Sequence, residues 1–382
     1  MAEDSFTETV HTGWFSRIGN SIKGILFGIL LVVISGVLLF WNEGRSVTRA
    51  KTLKEGIAAV VSVPSDVVNQ ANEGKLVHMM GNAATEETLS DDDFGVSAVA
   101  LKLRRNVEMY QWKEDKTTET KKNVGGSTDE VTTYNYSMTW DNDLIDSSNF
   151  KRPDGHQNPK RMAYPAQEYQ AEEITVGAYR LSPGLISQID GYQSLAADPA
   201  NLSEELKAKV KQESGGYYLG ADPAAPKVGD LRINFEVIKP GKASLISKQL
   251  GDSFEPYNSE AGGEIEMLSM GEHSAANMFA EAESMNTMLT WGLRVLGFLL
   301  MFGGFAAILA PLSVLADVLP FLGTLVGMGT SFVAGVLAAG ISLVIIAIAW
   351  FVYRPILAVA LLVAAAGVFY LFRMKRKTVA TT

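Results

Sequence analysis

Hydrophobic and polar positions divide the chain into three unequal parts. Near the N-terminus, Ile25–Trp41 runs for 17 residues without a charge. Near the C-terminus, Val295–Phe372 carries only two charges, Asp317 and Arg354, which cut it into Val295–Ala316, Val318–Tyr353 and Ile356–Phe372. A membrane-spanning helix needs about 20 apolar residues, and a soluble helix of that length keeps a polar face. None of these runs has a polar face. Pro311 and Pro320 bracket a stretch in which the chain is expected to turn. The pattern predicts spans at 24–41 and at about 293–311, 325–352 and 356–372, with Lys23 snorkelling to lengthen the first.

The middle of the chain reads differently. Leu101, Leu103, Val107 and Met109 alternate with polar residues toward Trp112, and a slip near Arg105-Asn106 suggests a bulge. The charged stretch 113–130 suits a hairpin loop, and Val131–Trp140 returns as a strand rich in Thr and Tyr. Further strands are expected at 74–80, 229–237, 243–250 and 264–270, with 86–93 as an acidic loop. Asn201 and Glu204 have capping-box spacing for a helix to about Lys211. Ser274–Thr290 reads as a helix running into the second span. The fold class expected is a multi-pass α-helical membrane protein with a large extramembrane α+β domain inserted between the first and second spans. Its parts are 1–23, a cytoplasmic segment; 24–41, the first span; 42–290, an extracytoplasmic or lumenal α+β domain; 291–372, three spans; and 373–382, a basic cytoplasmic tail.

Charge changes the picture in two ways. Residues 46–288 hold 24 basic and 37 acidic side chains, a net of −13, which excludes the Lys/Arg clusters that nucleic acid requires. The densest basic cluster, Arg373–Lys377, places the C-terminus in the cytoplasm. Trp41, Arg45, Trp291, Arg294, Trp350, Tyr353 and Arg354 flank the spans at one level, as interfacial anchors do. The chain has no cysteine, so disulfides and thiolate chemistry are excluded.

Several motifs point further. Asn42-Glu43-Gly44-Arg45, Asn72-Glu73-Gly74-Lys75-Leu76-Val77-His78 and the run from Lys102 to Trp112 resemble the transmembrane protein 43 family, also called LUMA. So do Gly155-His156, Asn158-Pro159, Val228–Arg232, Trp291–Arg294 and Tyr353-Arg354-Pro355. The resemblance implies four spans, a large lumenal domain, both ends in the cytoplasm or nucleoplasm, self-association and envelope partners. It supplies no catalytic residues.

Candidate chemistry is sparse. His11, His78, His156 and His273 lack metal-ligand spacing, so no metal or cofactor is expected. Arg104 and Arg105 suit internal ion pairs with the abundant carboxylates. Gly327, Ser331, Gly335 and Ala339 recur every four residues as a small-residue stripe, and Gly24 and Gly28 form a GxxxG pair, both suited to helix packing or oligomerisation. The expected function is a non-enzymatic scaffold that self-associates through its spans and organises membrane partners through its extramembrane domain. It contacts membrane lipid, copies of itself and other proteins of the same envelope. The alternatives are a pore-forming or channel-modulating subunit and a membrane-bound hydrolase using His78 or His156. The Ala- and Gly-rich spans favour a bacterial inner membrane with the domain in the periplasm; in a eukaryote the place is the endoplasmic reticulum or inner nuclear membrane.

Overall fold

The computed structural model describes residues 4–356 and 359. Three helices in it are long and apolar enough to cross a membrane: α1 (Trp14–Ala59), α2 (Ala275–Ala316) and α3 (Pro320–Tyr353). The expected span 356–372 and the tail 373–382 fall, apart from Ile356 and Val359, outside the described residues.

α1 and α2 extend beyond their apolar runs, whereas α3 lies within Val318–Tyr353. Nothing in α1 breaks the backbone ladder until the β-branched Val60-Val61 pair and Pro64, so it is one rod of 46 residues, about 69 Å long. Ser274 caps α2 by accepting from the amide of Asn277. The turn expected between Pro311 and Pro320 is shorter than that. The helix continues through Pro311 to Ala316, the chain turns over Asp317–Leu319, and Pro320 opens α3 at a position where its missing N–H costs nothing.

α1 and α2 pack antiparallel at glycine. A Cβ on Gly28 would lie 2.6 Å from the Gly304 carbonyl oxygen, and one on Gly304 would lie 2.8 Å from that of Gly28. Leu39 fills the space above Gly297, and the Ser35 hydroxyl donates to the Gly297 carbonyl. α3 buries Ala334, Ala338 and Ser342 at four-residue spacing.

Residues 60–274 are mostly strand, with helix confined to short turns such as Pro183–Ser187 and Glu204–Lys207. The principal strands are β1 (Ser5–Thr12), β2 (Leu76–Ala84), β3 (Lys102–Lys122), β4 (Thr128–Asp141), β5 (Gly216–Leu219), β6 (Leu231–Ile238), β7 (Gly241–Leu250) and β8 (Met267–Met270). One antiparallel sheet runs β1-β4-β3-β6-β5, and a second is built on β2, β7 and β8. Leu103, Val107, Phe235 and Tyr217 from the first sheet share one apolar core with Val77, Met79 and Leu245 from the second. A smaller cluster of Leu53, Leu76, Ile246, Met278 and Phe279 welds the ends of α1 and α2 to the second sheet.

Three local expectations change. The slip at Arg105 is not a bulge: β3 pairs with β6 in unbroken register from Lys102↔Ile238 to Met109↔Leu231. Arg105 takes an inward position in the alternation, and its guanidinium donates to Asp91 at 3.0 Å and Asp93 at 2.8 Å beneath Phe94. Arg104, on the opposite face, pairs with Glu236 at 2.6 Å. The acidic loop is a hairpin of Thr88–Asp91 with Val96–Val99, whose turn delivers Asp91 to Arg105. The helix after Asn201 is a single turn capped by Ser203, and Val210–Glu213 is already strand.

The largest change is in the stretch 113–130. It is not a loop: β3 and β4 pair through Lys122↔Thr128, leaving a turn of only Asn123–Ser127. β1 joins the outer edge of β4 over Ser5↔Asn135 to Thr12↔Thr128. The sequence sets 1–23 apart from the domain, whereas the structure draws Ser5–Thr12 into its sheet and brings Asp4 to His156. On the other edge the Asn158 side chain bonds both to the amide and to the carbonyl of Trp112, and among the described residues no strand follows it there. The result is a three-stranded ribbon whose residues 115–121 are exposed on both faces.

Asp91 and Arg105 are both almost wholly buried. Removing one member of such a pair strands the other, so Arg105→Ala is expected to cost about 3–5 kcal/mol. Burial raises the Asp91 carboxyl above its usual range, and the Arg105 charge pulls it back down. The folded state therefore holds this proton more tightly than the unfolded state, and the group favours folding at low pH and loses that contribution as pH rises. Without Arg105 the shift grows, so unfolding in detergent across a pH series should show the deficit shrinking as the solution is acidified. A deficit independent of pH would argue against the pair.

Candidate functional site at the membrane boundary

The apolar length of α1 ends at Trp41, and the next residues are Asn42, Glu43 and Arg45. Helix geometry turns Glu43 toward α2 and α3, where its side chain is fully buried. Its carboxylate accepts from Arg294 of α2 through two bonds of 2.6 and 2.9 Å, and from the Trp350 indole of α3 at 2.8 Å. Arg294 also lies over the rings of Trp291, at 4.7 Å, and Trp350, at 6.0 Å. Tyr353 packs where Gly44 leaves no side chain. One carboxylate thus joins three helices at a single level.

A neutral network surrounds the next residue on the rod. Arg45 donates to Asn286, to Asn42 and to Thr290, while the Asn42 amide donates to the Thr290 carbonyl. Of the residues expected as interfacial anchors, Arg294, Trp291, Trp350, Tyr353 and Arg45 converge here. Trp41 stands exposed beside them, and Arg354 follows the end of α3.

A second charged cluster sits at the opposite end of the helices. Asp317, also fully buried, accepts from Arg17 at 2.5 Å and from Lys122 at 2.6 Å. Lys122 belongs to the ribbon tip. The same tip gives the Gly125 amide to the Val318 carbonyl, while Arg17 donates to the Gly126 carbonyl. Trp14 lies against Gly126 and donates its indole N–H to Val314. Gly323 is required here, since any Cβ on it would overlap the Asp317 carboxylate. Arg17 and Glu43 are separated by about 39 Å of α1, close to the thickness of a bilayer with its headgroups.

The small-residue positions divide. Gly28 lies in the tight crossing with Gly304, whereas Gly24 has open space around it. Gly327 meets Ser313 and Gly335 lies beside Phe302, both on α2; Ala339 is half-buried and Ser331 is exposed. The stripe flanks the buried seam of Ala334, Ala338 and Ser342.

His78 and His156 do not meet. His78 lies in β2, with its ring nitrogens at the Ser62 hydroxyl and the His273 carbonyl. His156 lies in a loop against the other sheet, stacked on Tyr136 at 3.9 Å and bonded to Arg152 and Asp4. Burial and the Glu114 carboxylate push the Tyr136 phenol up to about 12, so it stays protonated. Among the described residues no group of three or more His, Asp or Glu converges in a way that would hold a metal ion. What the boundary network does chemically is neutralise and orient charge; it presents no nucleophile paired with a base.

Asn286 and Thr290 escape a reading by motif, and the Asn42-Glu43-Gly44-Arg45 motif does not announce the partners of Glu43. The one available signal is a carboxylate directly following an uncharged run, which is costly at that depth without a partner. Glu43→Gln and Arg294→Met are each expected to lower stability in detergent by about 3–5 kcal/mol, since each strands a buried partner. The double variant should recover part of the loss, and a double-mutant cycle on unfolding midpoints measures the coupling. Strict additivity would show that the two residues act independently.

The chain was also compared with known proteins. The family model described as Transmembrane protein 43 matches residues 109–355. Transmembrane protein 43 of Mus musculus is 34% identical over 361 residues, covering 92% of this chain and 89% of its own length. The Homo sapiens protein is 34% identical over 356 residues, covering 90% and 88%. The Drosophila melanogaster homologue is 31% identical over 375 residues, covering 96% of each. No solved structure matches the chain. With its apolar helices and matching motifs in order along nearly the whole length, this integral membrane protein belongs to the transmembrane protein 43 family.

Proposed function

We propose that the chain is a non-enzymatic membrane scaffold that self-associates in the bilayer and presents its sheet domain to partners in the same membrane system. The observation that carries this reading is the ribbon. Its tip is bonded to the distal ends of the helices, so with those helices across a bilayer it lies at membrane depth. Its strands carry Lys116, Glu119 and Lys121, and beyond Trp112 the outer edge of β3 has no neighbouring strand among the described residues. Hydrocarbon tolerates an open sheet edge only where protein covers it or water fills the space beside it. Among the described residues nothing covers this edge, and residues 115–121 are exposed on both faces. Association of several copies around their ribbons supplies the cover.

The basic tail supports a cytoplasmic C-terminus, and the domain is assigned to the extracytoplasmic or lumenal side. The sheet surface, rather than a cleft, is the part offered to envelope partners. A second reading, an aqueous conduit, draws on the same ribbon, since polar strands that line an enclosed space keep it wet.

Counting copies per nanodisc by native mass spectrometry is expected to give more than one; a single copy under mild extraction would remove the scaffold reading. Reproducible selective currents in planar bilayers would replace it with the conduit. For orientation, Asn201 begins an exposed Asn-Leu-Ser sequon, and expression in a eukaryotic cell is expected to add a glycan there that Asn201→Gln abolishes. An unmodified chain would place the domain on the cytoplasmic side.

A further inference from the structure

A groove of about 410 Å³ opens beside the boundary network, between α1, α2 and β8. Its wall is apolar and methionine-rich, with Met267, Met278, Met285 and Leu289. Met285 and Leu289 are 55% and 46% exposed, on the turns of α2 just before Trp291. Its head carries two arginines four residues apart on one face of α1, Arg45 and Arg49. Glu281 also lines the groove.

Two like charges one helical turn apart repel each other, and among the described residues no carboxylate forms a salt bridge with either, the charge of Glu43 acting on Arg45 only through space. The hydrogen-bond partners of both guanidiniums among the described residues are neutral: Asn42, Asn286 and Thr290 for Arg45, and the Glu264 carbonyl for Arg49. The nearby Glu43 is already engaged by Arg294 and Trp350. Among the described residues Arg45 Nε is buried with no acceptor, an arrangement that costs free energy.

We propose that this groove binds an anionic membrane phospholipid, with the phosphate at Arg45 and Arg49 and an acyl chain along the methionines. Three features select that occupant. Both guanidiniums lack a salt-bridge partner among the described residues, and guanidinium matches phosphate in geometry. The wall is long, flexible and apolar, as an acyl chain requires. The position is one to two helical turns beyond Trp41 and Trp291, which is the depth of headgroups. The inference rests on the reading that the helices span the bilayer, but not on self-association.

The full chain in detergent, titrated with phosphatidylglycerol and with phosphatidylcholine, tests it by native mass spectrometry of retained lipid. Wild type is expected to retain phosphatidylglycerol about tenfold better, the scale of one hydrogen bond to a charged group. Arg49→Gln should lose most of that preference. Ala282→Trp, which fills the groove without touching its charge, should lose retention of both lipids. Equal retention of the two lipids by wild type, or an unchanged preference in both variants, overturns the site. Complete displacement of phosphatidylglycerol by millimolar inorganic phosphate also overturns it, because the apolar wall would then contribute nothing. The mass of each complex reports copy number independently, so failure of the lipid site and failure of the scaffold are separately visible.

Discussion

Glu43 is a carboxylate without water, and the arrangement of the membrane part depends on its being answered from two directions. Arg294 meets it with a forked pair of bonds and Trp350 with an indole N–H. A buried charge of this kind is weak as a source of stability, because desolvation consumes most of the attraction, but it is demanding about register. Sliding α2 by one residue carries Arg294 around the helix and leaves two opposite charges unpaired. The glycine crossing at Gly28 and Gly304 sets the distance between the same helices, and the ion pair sets their phase.

Much of the architecture is legible in the residues because it follows from periodicity. Uncharged runs mark the three described helices, and alternation marks β6 and, on either side of Arg105, β3. The failures share a cause: polar residues within or after an apolar alternation look like a break in the strand. Arg105 breaks an apolar alternation, so the strand looks bulged; its charge is answered by Asp91 from a hairpin, a contact that spacing does not encode. The stretch 113–130 looks like a loop because, apart from Val124, Gly125 and Gly126, every residue is polar. A ribbon wet on both faces has no apolar face to display, so alternation vanishes while the backbone pairing stays intact.

The boundary site was half legible. Aromatic and basic residues at the span ends announce their level, and the structure gathers most of them around Glu43. The neutral partners Asn286 and Thr290 carry no signal, since their role exists only once α2 lies against α1. The far cluster is less visible still. Lys122 and Asp317 are 195 residues apart and belong to segments that read as a loop and a short helix connection. A contact between a sheet's tip and a helix's end follows from tertiary placement alone.

The absence of any joint in α1 has a mechanical consequence. A single stiff rod begins at the ribbon tip, crosses the apolar layer and ends in the core of the sheet domain, welded there by Leu53 against Phe279. Helices answer a bilayer thicker or thinner than their apolar length by tilting. With no hinge to absorb it, a change of tilt becomes a swing of the whole domain about the membrane plane. Local bilayer thickness is thereby translated into the angle at which the protein faces its surroundings.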